Sequence, residues 1–136
     1  MKSFLAVLIC GIALFLSGCS LEEKYARNNQ AAESWLALNP PSRGKNIEGS
    51  WKPVDSDWGT VRLVQKGSDV SGFVGDYSVD GHVRGENIYL TLKSEGWVYY
   101  SVIMKVSESR MKGFYSSSVP FSTKDQASIE FKRVFK

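Results

Sequence analysis

Residues 87–106 read NIYLTLKSEGWVYYSVIMKV, and this stretch decides the fold. Two runs of alternating apolar residues flank the turn-forming Ser94-Glu95-Gly96. Successive side chains of a β-strand point to opposite faces, so the alternation predicts two half-buried strands joined as a hairpin. Pairing Lys93 with Trp97 places the even-numbered residues of both strands on one apolar face. These residues are Ile88, Leu90, Leu92, Val98, Tyr100, Val102, Met104 and Val106.

The odd-numbered residues of this hairpin form a second face that carries three aromatic side chains. Tyr89, Trp97 and Tyr99 are expected there together, beside Thr91. Trp and Tyr are favoured at protein interfaces, so these three aromatics are our candidate partner-binding patch. Two alternatives stay open: the rings are ordinary cross-strand pairs, or a helix covers them.

Strand-like runs continue through the chain from Ile47 onward. They are Ile47–Lys52, Thr60–Lys66, Val70–Tyr77, Ile88–Lys93, Trp97–Val106, Met111–Ser116 and Ala127–Val134. Turn-forming residues separate them, and Asp80-Gly81 is the strongest hairpin signal because a type I′ turn needs positive φ at both central residues. Short strands without helices between them predict a meander, and closing it removes exposed edges. We therefore expect a mainly β fold: a small antiparallel up-and-down barrel of about eight strands.

A helix is predicted ahead of the barrel, over Leu21–Leu38. The sequence Ser20-Leu21-Glu22-Glu23 matches a capping box, and Asn39-Pro40-Pro41 prevents the helix from continuing. Trp35 and Leu36 favour docking of this helix on the following domain. A disordered tether is the alternative, because the middle of the segment is polar.

The N-terminal residues have the pattern of an export signal. Lys2 precedes an apolar stretch, Phe4–Leu16, that is shorter than the roughly 20 residues a membrane-spanning helix needs. The sequence Leu16-Ser17-Gly18-Cys19 resembles the lipobox of bacterial lipoproteins, which signal peptidase II cleaves before the cysteine. The resemblance implies that Cys19 becomes the first residue, with a diacylglycerol thioether on its sulfur and a palmitate-type acyl chain on its amine.

The cysteine count agrees with lipidation of Cys19. Cys10 lies in the segment to be removed, so no partner for a disulfide remains. Several acyl chains give a stable anchor, whereas one chain binds a membrane only reversibly. In Gram-negative lipoproteins an Asp after the cysteine commonly retains the protein in the inner membrane. Ser20 therefore favours the periplasmic face of the outer membrane, and it is uninformative if the source has a single membrane.

These observations divide the chain into a signal peptide (1–18), a lipidated N-terminus with helix and linker (19–46) and a barrel domain (47–136). Of the 17 basic side chains only Lys2 lies in the signal peptide, so 16 remain against 14 acidic ones. So small a charge predicts no nucleic-acid partner. The one histidine, His82, has no neighbouring nucleophile and is expected on the solvated surface. We expect no catalytic residues, no metal ligands and no cofactor.

The start of the predicted barrel carries a second resemblance. Gly49-Ser50-Trp51 is similar to the Gly-x-Trp that opens the first strand of lipocalins, which implies that Trp51 closes one end of the barrel. Lipocalins carry small hydrophobic molecules, but large inward side chains such as Tyr100, Met104 and Tyr115 tend to fill a small barrel. We therefore expect a non-catalytic interaction module that contacts an envelope protein, with a carrier of a lipid or small hydrophobic ligand as the alternative.

Overall fold

The computed structural model describes residues 21–135, which form one helix and a closed β-barrel. Residues 21–38 are helical and are called α1. The strands are β1 (Gly49–Pro53), β2 (Val61–Lys66), β3 (Asp69–Val74), β4 (Tyr77–Arg84), β5 (Asn87–Ser94), β6 (Trp97–Ser107), β7 (Arg110–Ser116) and β8 (Gln126–Arg133). The expected fold class is confirmed. The proposed signal peptide and Cys19 lie outside the described residues.

The barrel is an up-and-down meander in which each strand pairs antiparallel with the next, and β1 pairs with β8 to close it. Five of the hairpins turn through two residues only. These turns are Gly67-Ser68, Gly75-Asp76, Gly85-Glu86, Glu95-Gly96 and Glu108-Ser109. Left-handed backbone at the first residue of each turn, as at Gly67 with φ 63°, gives the twist that two-residue hairpins require.

The prediction of a turn at Asp80-Gly81 is wrong. Both residues lie inside β4, and the chain turns instead at Gly75-Asp76, within the run predicted as one strand. Gly81 serves close packing between strands: a Cβ built on it would lie 2.0 Å from the carbonyl oxygen of Tyr89 and 2.8 Å from the Cα of Leu90. A glycine in a strand interior often marks such a close backbone approach.

The register predicted for the β5–β6 hairpin is also wrong, although most of the predicted face is correct. Trp97 opposes Ser94, and beyond a bulge Leu92 opposes Tyr100. The body of the hairpin is therefore displaced by two residues, and a shift of two keeps each side chain on its original face. The bulge leaves Tyr99 without an opposing residue. Val98 lies outside the apolar cluster in the barrel interior, and its N–H donates to Asn29 of α1.

The barrel interior is filled by side chains. One cluster of buried apolar residues runs through it, with Leu63, Leu90, Met104 and Met111 each at most 1% exposed. It comprises Ile47, Trp51, Val61, Leu63, Val70, Val74, Val79, Val83, Ile88, Leu90, Leu92, Val102, Met104, Val106, Met111, Ile129 and Phe131. An eight-stranded barrel is only just wide enough for such side chains.

The two ends of the barrel are closed differently. We call the end with the β2–β3, β4–β5 and β6–β7 turns the linker end, because residues 42–48 cross it. Ile47 is fully buried there, and its N–H donates to Gln65 Oε1 at 2.8 Å. Trp51 lies beside it, donating from its indole N–H to the Ile47 carbonyl, with the Arg133 guanidinium 4.4 Å from its ring centroid.

We predict that Gly81→Ala destabilises the barrel by about 1–3 kcal/mol, because the added methyl must push two packed strands apart. Urea denaturation followed by circular dichroism measures the change. Gly67→Asn is the matched control, since nothing lies within 4 Å of a Cβ at Gly67 and Asn tolerates its φ of 63°. Equal stability of the two variants would contradict the close packing at Gly81.

Candidate functional site

Helix α1 covers most of the aromatic patch predicted on β5 and β6. The rings of Trp35 and Tyr89 pack edge-on with their centroids 6.0 Å apart. The ring centroid of Tyr25 lies 5.3 Å from that of Trp97 and 6.2 Å from that of Tyr99. Only Tyr99 among the three predicted residues remains exposed, at 39%. Of the alternatives stated above, the structure favours coverage by the helix over a bare partner patch.

Specific hydrogen bonds hold the helix in place. The Asn29 side-chain amide donates to the Gly96 carbonyl at 2.9 Å, and its oxygen accepts from the Val98 N–H at 3.0 Å. Thr91, 1% exposed, bonds to the neighbouring strand and not to the helix: its hydroxyl donates to the Asp80 carbonyl of β4. The loop after β7 flanks the helix, with Phe121 stacked on Trp35 at 6.4 Å between centroids. The predicted docking of Trp35 is thereby confirmed.

His82 is buried at the end of α1, so its expected place on the solvated surface is wrong. It is 6% exposed, and its Nε2 is hydrogen-bonded to the Asn39 carbonyl. A carbonyl only accepts, so Nε2 carries the proton in this bond. Arg84 donates to the Pro40 carbonyl next to it at 2.9 Å. Both side chains therefore fasten the linker to β4.

Trp58 packs across the opposite end of the barrel, and we call this end the aromatic end. Trp58 comes from the β1–β2 loop and meets Tyr77, Tyr100 and Tyr115 edge-on, with centroid distances of 6.2, 5.7 and 4.9 Å. Edge-to-face packing at such distances stabilises aromatic clusters. Burial, followed by a hydrogen bond with Tyr77, raises the pKa of the Tyr100 phenol, which stays protonated at neutral pH. Sequence analysis missed Trp58 because it has no periodic neighbours.

Basic side chains cover the outer surface across β6, β7, β8 and β1. We call Lys52, Lys105, Arg110, Lys112 and Lys132 the basic face, and all five are exposed. Lys105 directly opposes Lys112, and Lys132 directly opposes both Arg110 and Lys52. Like charges directly opposite each other destabilise a sheet.

Two carboxylates and one exposed ring lie among these cations, and Glu86 lies 3.5 Å from Lys105. Glu130 accepts from Arg110 at 2.7 Å and lies 3.8 Å from Lys112. Phe114, 43% exposed, borders a shallow groove of about 420 Å³ together with Lys105 and Lys112. The alternation of Arg110, Lys112 and Phe114 was the sequence signal for this face. Placing Lys132 on the same face requires the β7–β8 register, which the sequence analysis did not assign.

The other polar candidates do not assemble into a reactive site in the part of the chain that the structure describes. Asp55 and Asp57 lie in the exposed β1–β2 loop. Ser116 accepts two backbone N–H bonds and so serves its own loop. Within residues 21–135 no group of three or more His, Cys, Asp or Glu is placed to hold a metal ion. No helix formed by these residues has the length and apolarity needed to cross a bilayer.

Comparison of the chain with protein-family models, with curated proteins and with solved structures finds no match. The lipobox and Gly-x-Trp resemblances therefore rest on the residues quoted for them.

We predict that Trp35→Ala releases α1 while the barrel stays folded. Truncating a buried Trp costs about 3–5 kcal/mol, and Trp35 packs on the outside of the barrel, apart from the core cluster. Hydrogen exchange should accelerate in residues 21–38 and remain slow in β5 and β6. Leu38→Ala is the control because Leu38 is 79% exposed. Unchanged exchange in the Trp35 variant would show that this contact does not hold the helix.

Proposed function

We propose that the mature protein is a lipid-anchored, non-catalytic interaction module of the cell envelope whose basic face contacts an acidic surface of an envelope protein. The lipobox-like Leu16-Ser17-Gly18-Cys19 supports the anchor. If the source is Gram-negative, Ser20 favours the periplasmic face of the outer membrane. The proposal includes no cofactor and no nucleic acid.

The observation that carries the partner assignment is the alignment of like charges on the basic face. Glu86 and Glu130 are the carboxylates that pair with this face, and they are too few for its five cations. Placing Lys105 opposite Lys112, and Lys132 between Arg110 and Lys52, therefore leaves an excess of positive charge that repels itself. An acidic partner would relieve this repulsion, and steering between opposite charges speeds encounter. Phe114 supplies an exposed aromatic ring in the same place, and aromatic side chains are enriched where interfaces bury most surface.

The filled interior supports a module rather than a carrier. Met104, Met111 and Phe131 occupy the space that an acyl chain would need, each at most 1% exposed. Trp58 packs against three tyrosines across the aromatic end, and Ile47 lies buried at the linker end. A carrier would have to displace several of these side chains, and each large core side chain contributes several kcal/mol to stability.

We predict that a photoreactive phenylalanine at position 114 forms a covalent adduct with an acidic envelope protein in intact cells. The matched control places the same residue at Leu38, which is 79% exposed and lies on α1, on the side of the barrel that the helix covers. Mass spectrometry of the adduct identifies the partner and the peptide that position 114 touches. Adducts formed equally from both positions would indicate non-specific proximity.

Charge-reversal substitutions test whether electrostatic attraction, and not only contact at position 114, holds the partner on the basic face. Lys112→Glu combined with Lys132→Glu should abolish the position-114 adduct, because both charges would repel an acidic partner. Lys66→Glu combined with Lys124→Glu makes the same change in net charge away from the basic face and should leave the adduct intact. An adduct that survives the first pair would refute the assignment of the partner as acidic.

We predict that Cys19→Ala leaves the protein without lipid. The intact mass of the natural protein should equal the chain from Cys19 plus a diacylglycerol and an acyl chain. Residue 19 is the site of modification, so the variant should also keep its signal peptide or be cut elsewhere. A natural product with an unmodified thiol would overturn the anchor.

A further inference from the structure

Helix α1 runs from the aromatic end of the barrel to the linker end. Near its start, Tyr25 packs on Trp97, and Asn29 bonds to Gly96 in the β5–β6 turn. Just beyond its last residue, Asn39 bonds to His82, and the chain then joins the linker end. Contacts at both ends therefore fix the direction of the helix on the barrel.

This direction determines where a lipid on Cys19 can lie. Only residue 20 separates Cys19 from residue 21, and two residues of extended chain span at most about 7 Å. The acyl chains must therefore enter the bilayer beside the aromatic end. The linker end is distant, because the 11 residues of β6 connect the two ends and a tilted strand of that length rises roughly 25 Å along a barrel axis.

The aromatic end presents the side chains that lipid headgroups favour. Tyr99 and Phe73 are exposed there at 39% and 42%, and Trp58, Tyr77 and Trp97 are partly exposed. Trp and Tyr concentrate at membrane–water interfaces because one part of each ring system is apolar and the other makes hydrogen bonds. These rings come from four separate elements, so they form a broad contact surface.

The charges at this end select the kind of headgroup. Asp55, Asp57, Asp76, Glu95 and Asp125 lie in its loops and turns, against Lys93 and Lys124. Residues 21–27 of α1 add Glu22 and Glu23 against Lys24 and Arg27. A surface with more carboxylates than ammonium groups is repelled by anionic lipids, whereas a zwitterionic headgroup offers partners for both signs.

We propose that the aromatic end rests on the zwitterionic headgroup layer of the bilayer that holds the anchor, so that the barrel stands on this end with its linker end away from the membrane. The inference rests on the lipid anchor of the proposed function. It adds a second membrane contact, made by the barrel itself. The basic face then points sideways from the upright barrel and stays open to a partner.

Two matched turn residues test this orientation. Glu95 in the β5–β6 turn and Glu108 in the β6–β7 turn are both non-glycine residues with left-handed backbone, at φ 53° and 52°. Glu95→Cys and Glu108→Cys therefore carry similar strain, and β6 separates them. Each lipidated variant is labelled with a fluorophore and reconstituted in dioleoylphosphatidylcholine vesicles that contain a lipid with a Ni²⁺-chelating headgroup as quencher.

We expect the lipid-borne quencher to act several-fold more strongly on the label at position 95 than on the label at position 108, and soluble acrylamide to show the reverse order. Equal quenching of the two labels, or stronger quenching at position 108, in protein that carries the lipid would overturn the proposed orientation but not the proposed anchor. An intact mass without lipid would overturn the anchor and the orientation together. Replacing part of the phosphatidylcholine by phosphatidylglycerol should weaken quenching at position 95, and stronger quenching would overturn the zwitterionic assignment.

Discussion

The closure of eight strands around their own side chains constrains everything else in this protein. An eight-stranded barrel has little interior beyond the volume that its inward residues occupy, and here Leu63, Leu90 and Met104 fill it almost without exposure. Such a core stabilises the barrel and occupies the space that an internal ligand would need. Side chains on the outer surface and the rims are free to differ without disturbing the core.

The outer surface is divided by helix α1 into a covered side and an open side. The helix packs on Tyr89 and Trp97, which stay partly exposed, and bonds to the buried Val98 on the β5–β6 side, where the strand has its bulge at Tyr99. Exposed cations remain on β7, β8 and β1, and on β6 at Lys105, away from the helix contacts at Trp97 and Val98. One element thus both buries an aromatic surface that would promote aggregation and fixes where the chain leaves the barrel.

The sequence predicted the parts of this structure that depend on period and on local chemistry. Alternation in residues 87–106 identified the inward side chains from Ile88 to Val106 except Val98. The register error of two residues left the others on their predicted face, because the period of a strand is two. The helix over 21–38 followed from its capping sequence and the prolines after it.

What the sequence could not supply depends on contacts between distant residues. Asp80-Gly81 has the composition of a turn, but Gly81 is needed because the backbone of Leu90 passes too close for any side chain. His82 is buried because Asn39, 43 residues earlier, folds back onto it. The basic face required the β7–β8 and β1–β8 registers, which no local pattern contains.

The proposed anchor, the helix and the proposed partner-binding basic face would act together. A lipid on a flexible tether would hold the barrel near the membrane but leave its orientation free. Binding of a partner would then cost the entropy of that orientational freedom. Here the helical residues 21–38 are fastened to the barrel by Asn29 and Trp35, and only residue 20 lies between them and Cys19, so a lipid on Cys19 would have little freedom to move relative to the barrel. Contact of Tyr99 and its neighbours with headgroups would remove the remaining tilt. The basic face would then point sideways at a fixed height above the bilayer. Because the barrel would already be oriented, binding of the partner would not include the entropy cost of orienting it.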